Sequence, residues 1–138
     1  MKSTTALRWA IRVGVSASLA ISGVIHADLY IHGYRHIPTV GPAFLFQASA
    51  FCALAALILV GAPGWLSWAG AVLSVGTLVA FALSRTVGLF GFTESGWDPA
   101  PQAALSAITE ALTVILVGAA VVLSAQRTPA KAQQGNAT

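Results

Sequence analysis

Ionisable side chains are scarce in this chain. Lys, Arg, Asp and Glu make up 8% of its 138 residues, against roughly 25% in a typical soluble domain. A helix that faces water needs a polar side, and the long runs here have almost none. That excludes a water-soluble globular enzyme. Acid is scarcer than base, four residues against seven, for a formal net charge of +3. The excess does not mark a nucleic-acid binder: the basic residues lie on tails and at the ends of apolar runs, with no basic patch interleaved with aromatics. They read as charges that orient the chain and touch lipid headgroups. Cysteine occurs once, at Cys52, so no internal disulfide forms and the redox compartment is unread; the residue reads as a small packing group. Catalytic sets are missing too. No Ser-His-Asp order, nucleophile elbow, phosphate loop or useful pair of carboxylates can be assembled, so neither an enzyme nor a cofactor is expected.

What fills the chain instead is apolar sequence, 57% hydrophobic residues with a mean hydropathy of +0.79. It falls into four runs, 9–30, 42–60, 65–90 and 102–124, each matching or exceeding the roughly 20 residues that cross a bilayer as a helix. The predicted fold is all-α, a four-transmembrane-helix bundle over 9–124. A cytoplasmic segment 1–8 precedes it and a polar, disordered cytoplasmic tail 125–138 follows. Lys2 and Arg8 stand before the first run with Arg12 in its first turn, and Arg127 and Lys131 stand after the last. By the positive-inside rule the topology is N-in/C-in, a multi-pass protein of a bacterial plasma membrane with both termini cytoplasmic. The same N-terminus resembles a signal peptide, but no cut fits. Cleavage after Ala20 leaves an apolar stretch of only 13–17, and cleavage after Ala27 puts Ile25 at the −3 position, so the first run is expected to be retained.

Local signals punctuate these spans. Gly61-Ala62-Pro63-Gly64 reads as a tight turn between the second and third. Asp98 suits the N-cap of the fourth, with Pro99 and Pro101 in its first turn. Trp9, Trp65 and Trp68 read as an inner aromatic belt, and Tyr30, Tyr34 and Trp97 as an outer one. In the first span Gly14, Ser18, Ser22, His26 and Tyr30 recur every four residues, which predicts a buried face open to close helix approach. Ser106, Glu110 and Thr113 share a face of the fourth in the same way.

One polar residue from each span gathers in the outer half: His26, Gln47, Arg85 and Glu110. Arg85 lies about 7 Å below the surface if the third helix reaches Phe90, and at the surface if it stops near Leu83. A charge in hydrocarbon costs at least about 2.5–3.5 kcal/mol, so Glu110 needs a partner or a proton. Arg85, always charged and matched in shape to a carboxylate, is the expected one. The set reads either as a structural pair with Gln47 and His26 hydrogen-bonded around it, or as a site for a ligand, proton or metal. Above it lies an outer-loop cluster of Asp28, Tyr30, His32, Tyr34, Arg35, His36 and Glu94. The inner half is bare of charge, which argues against a transport pathway.

Whether the histidines hold a metal stays open on sequence. His32 and His36 have i, i+4 spacing, but they converge only on a helix, and Gly33 and Pro38 argue against one there. Zinc or copper would need Asp28, Glu94 or Asp98 as well, and there is no HExxH and no Cys partner. Haem would have only His26 as a buried axial ligand.

The stretch His26-x-x-Leu29-Tyr30-x-x-Gly33-Tyr34-Arg35-x-Ile37-Pro38-Thr39-Val40-Gly41-x-x-Phe44-x-x-Gln47, with Gly88-Leu89-Phe90-Gly91-Phe92-x-Glu94, resembles small four-span membrane proteins of high-GC actinobacteria. In general shape the chain also resembles the four-helix DoxX-type membrane proteins. The resemblance implies a topology and no activity. The expected role is a non-enzymatic accessory or scaffold subunit in the lipid bilayer, as a homo-oligomer or within a larger membrane complex. The alternative is a small-molecule, proton or metal binding protein or carrier that uses the outer polar cluster.

Overall fold

Helix starts and stops in this chain follow from a few residues at each boundary. The computed structural model describes residues 2–126, with side-chain surroundings from residue 5 onward. Most of the tail expected over 125–138, with Arg127 and Lys131, lies outside the described residues. Helix α1 is Lys2–Leu29, α2 Val40–Val60, α3 Trp65–Ser84 and α4 Gln102–Ala125. All four are long and apolar enough to cross a membrane, and the described residues contain no β-strand.

Three helices depart from the sequence reading. The first begins at Lys2 rather than Trp9 and does not stop at Tyr30: a π-helical turn, Tyr30–Tyr34, prolongs it, and Arg35 N–H donates to the Tyr30 carbonyl at 3.0 Å. The third helix ends at Ser84, six residues short of Phe90. Beyond it Gly88, Phe90 and Gly91 take φ values of 85°, 53° and 79°, which no right-handed helix accommodates. They build a tight turn in which Leu89 and Phe92 exchange backbone hydrogen bonds of 2.8 and 2.9 Å. At the start of α4, Pro101 rather than Asp98 holds the capping position, and no side chain caps it. The prolines still serve the first turn, through carbonyls: Pro99 accepts from Ala103 at 2.9 Å and Pro101 from Leu105 at 3.1 Å.

The turn between α2 and α3 is as expected. Gly61 is left-handed at φ 103°; its N–H donates to the Ile58 carbonyl and that of Ala62 to Leu57. This is the Schellman closure that glycine permits at little steric cost.

Helix α1 packs against both α2 and α4, while α3 packs chiefly against α4. Between them sits a core of Val15, Leu19, Phe51, Leu54, Ala55, Ile58, Leu66, Ala71 and Val117. Close approach depends on small residues. A Cβ on Gly23 would lie 2.7 Å from Cys52 Sγ and 3.2 Å from the Ala48 carbonyl, so Cys52 packs on α1 with its inner side although it is exposed on the other. Outward faces are apolar as well: Val24, Phe46, Val72, Val79, Ile108 and Ile115 are all more than half exposed. Val79 and its neighbours leave α3 the most thinly covered helix. Such a surface is compatible with a membrane helical bundle and unlike that of a soluble domain.

Candidate functional site

The buried face expected on α1 exists. Ser18, Ser22 and His26 are all but inaccessible, and so are Ser106, Glu110 and Thr113 on α4. The two stripes meet. Ser18 and Thr113 hydroxyls are 2.7 Å apart. Higher up, Glu110 Oε1 accepts from Ser22 at 3.1 Å and from Ser106 at 2.9 Å. His26 closes the seam with Nε2 3.8 Å from the same oxygen. Four-residue spacing along both helices is what lines these groups up. The hydroxyls had been expected on these faces; that they, and not a cation, would surround Glu110 had not.

Arg85 is the correction. Because α3 stops at Ser84, its guanidinium lies in the loop, 3.0 Å from Glu94 Oε2 and away from Glu110. It also donates to the Gly96 carbonyl at 2.9 Å, to Ser84 Oγ at 2.8 Å and to the Asp98 carbonyl at 2.6 Å, and it stacks 3.7 Å above the Phe81 ring. A positive charge just past a helix C-terminus is favourable in its own right. The Tyr34 hydroxyl donates to Glu94 from the π-helical turn. Arg85 therefore clasps the connection after α3 onto itself, and Glu94, shared with Tyr34, ties it to the π-helical turn that prolongs α1. Tyr34 was expected at a lipid-facing belt, but it is buried; Trp97 is exposed against Phe81.

The remaining expected site residues fall elsewhere. Gln47 leaves the cluster and donates to Thr77, joining α2 to α3. Asp28 and His32 form an exposed i, i+4 pair at 2.9 Å. Arg35 donates to His36 at 2.8 Å on the surface, and Tyr30 contributes its backbone carbonyl. His32 lies in the π-helical turn and His36 beyond its end at Tyr34. Among the described residues no three of His, Cys, Asp and Glu stand close enough to hold a metal ion. In the other half Ser16 joins α1 to α2 by donating to the Ala55 carbonyl at 2.7 Å.

Two arrangements merit a chemical test. Ser22, His26 and Glu110 bring together the residue types of a hydrolytic triad. Their geometry fails that role. Ser22 Oγ donates to the carboxylate rather than to the ring, and His26 Nδ1 is committed as a donor to the Ser22 carbonyl at 2.9 Å, so it cannot take the serine proton. The second is an aromatic column. Tyr34 stacks on Phe44 at 4.5 Å, Phe44 packs on His26 at 5.2 Å, and His26 meets Phe51 edge-on at 6.0 Å. It connects the loop clasp to the interior seam. With Nδ1–H donated to a carbonyl, His26 turns its Nε2 towards Glu110.

No family model matches this chain, and no curated protein or solved structure matches it either.

Proposed function

We propose that the chain is a small, multi-pass, non-enzymatic membrane component, an accessory or scaffold subunit that works by association with its own copies or with a larger complex. The observation that carries this reading is the closure of the polar groups on one another. Among the described residues, Ser74 Oγ is the only buried side-chain nitrogen or oxygen without a hydrogen-bond partner. A ligand site offers convergent, unanswered donors and acceptors. Here Glu110 is answered by two serines, Arg85 by Glu94 and two carbonyls, and Gln47 by Thr77. Both ends are assigned to the cytoplasm on the strength of Lys2, Arg8 and Arg12.

Mass measurement of the purified protein in mild detergent tests the association. The expected result is a defined oligomer or a stoichiometric complex. A monodisperse monomer under all mild conditions overturns the reading. Topology is tested separately. In a Cys52→Ala background, cysteines at Gly64 and Ser95 should react with an impermeant maleimide from opposite sides of the membrane, Ser95 from outside.

A second reading, a proton or small-ligand carrier, is favoured by one observation. His26 and Glu110 face each other at 3.8 Å with almost no solvent exposure, and an ionisable pair at such depth is uncommon without a function. It predicts that Glu110→Gln abolishes any co-purifying ligand or proton-coupled phenotype while the fold survives. Retention of both removes this reading.

A further inference from the structure

At the end of the bundle where α1 begins, the four helices leave a cleft of about 1140 Å³ between them. It lies apart from the seam and from the clasp. Its floor is apolar, with Val15 and Ile58 almost fully buried at the bottom. Its mouth carries Arg8 and Arg12, one turn apart on α1, and three tryptophans, Trp9, Trp65 and Trp68, each more than half exposed.

The charge in this mouth is unanswered. Neither arginine has an ion pair or a side-chain hydrogen bond with any described residue. Arg12 leans on the C-terminal turn of α2, where its Nη1 is 3.5 Å from the place a Cβ would take on Gly61, and its Cζ is 5.9 Å from the Trp9 ring. Among the described residues no acidic side chain lies at this end. The chain's four side-chain carboxylates, Asp28, Glu94, Asp98 and Glu110, all belong to the opposite half of the bundle. Like charges four residues apart on a helix repel, and the α2 terminus offsets this for Arg12 alone. An anion between the two guanidiniums removes the conflict. An inorganic ion would leave most of the cleft and all of its apolar floor unused, whereas tryptophans beside arginines over an apolar floor match the layering of a headgroup above an acyl chain.

We propose that this cleft is a binding site for an anionic glycerophospholipid of the adjacent leaflet. Its phosphate lies between Arg8 and Arg12, an acyl chain runs over Val15 and Ile58, and the tryptophans stand at headgroup level. The proposal rests on the chain's lying in a bilayer, which the cysteine labelling above tests on its own.

Native mass spectrometry of the full chain, given equal amounts of phosphatidylglycerol and phosphatidylcholine with identical acyl chains, reads the preference directly. The first lipid retained should be the anionic one, by about tenfold, and Arg8→Gln with Arg12→Gln should reduce that preference to about twofold or less. Arg8→Lys with Arg12→Lys should keep most of it, which separates charge from fold. Should the glutamine variant fail to fold, raising the salt on the wild type must collapse the preference instead. Phosphatidylglycerol should also raise the melting temperature of the wild type but not of the glutamine variant. Equal retention of both lipids, or an unchanged preference in the glutamine variant, overturns the site. Glycerol phosphate raising the melting temperature as far as the lipid does overturns the lipid assignment in favour of a soluble anion.

Discussion

Glu110 and Glu94 are both carboxylates withdrawn from solvent, with side chains 1% and 17% exposed, yet their surroundings differ in kind. Glu110, in the third turn of α4, is held by serine hydroxyls and faces a histidine. Glu94, in the loop, is held by an arginine and a tyrosine. Depth explains the difference. A guanidinium placed in hydrocarbon costs at least about 2.5–3.5 kcal/mol, whereas a serine or threonine in a helix can bond its own i−4 carbonyl, as Thr113 does to Thr109 at 3.0 Å, and so enters at little cost. Hydroxyls suit the interior seam, and the full charge is kept for the connection, where Glu94 and two carbonyls share it. The seam is thus a sum of small terms, and the clasp depends on one residue.

The largest effect expected is at the clasp. Arg85→Ala leaves Glu94 with Tyr34 alone and removes the bonds to Gly96 and Asp98, which should cost about 3 kcal/mol, the low end for a broken buried pair. Denaturation in detergent followed by tryptophan fluorescence measures it. Combining Arg85→Met with Glu94→Leu should recover part of the loss; strict additivity would show that the two do not interact. Next comes the entry of α2, beside the same clasp. A Cβ on Gly41 would lie 2.7 and 2.8 Å from the Tyr34 and Arg35 carbonyls, backbone atoms that cannot swing aside. Gly41→Ala should therefore cost about 2 kcal/mol and speed amide exchange in the π-helical turn.

Losses in the seam are expected to be no larger. Glu110→Ala strips Ser22 and Ser106 of their acceptor and opens a void, for about 2 kcal/mol, whereas Glu110→Gln keeps an acceptor oxygen and should stay within about 0.5 kcal/mol of the wild type. If Glu110→Ala proves costlier than Arg85→Ala, the contrast between a distributed seam and a single-residue clasp is broken. Among the variants that lose a bond outright the smallest effect is at Thr113: Thr113→Val removes one interhelical bond to Ser18, which should cost about 0.6 kcal/mol, measured by the same titration.

Sequence by itself determined the four helices, the Gly61 turn and the two polar stripes. Each of these rests on local physics: apolar length, the left-handed tolerance of glycine, and four-residue periodicity place side chains before any tertiary contact forms. His26 and Glu110 were therefore legible as buried, and the small residues of α1 as its packing face. Tertiary structure alone decided which groups meet. Arg85 was a plausible partner for Glu110 only while α3 was taken to Phe90, and what ends that helix at Ser84 is a loop whose positive-φ turn and carbonyl cage assemble together. Gln47 finding Thr77, and Tyr34 turning inward to reach Glu94 sixty residues away, likewise depend on how helices rotate against one another. Rotation is set by the summed packing of whole faces, so one hydrophobic run says that a helix will form and not which neighbour its polar residue will meet.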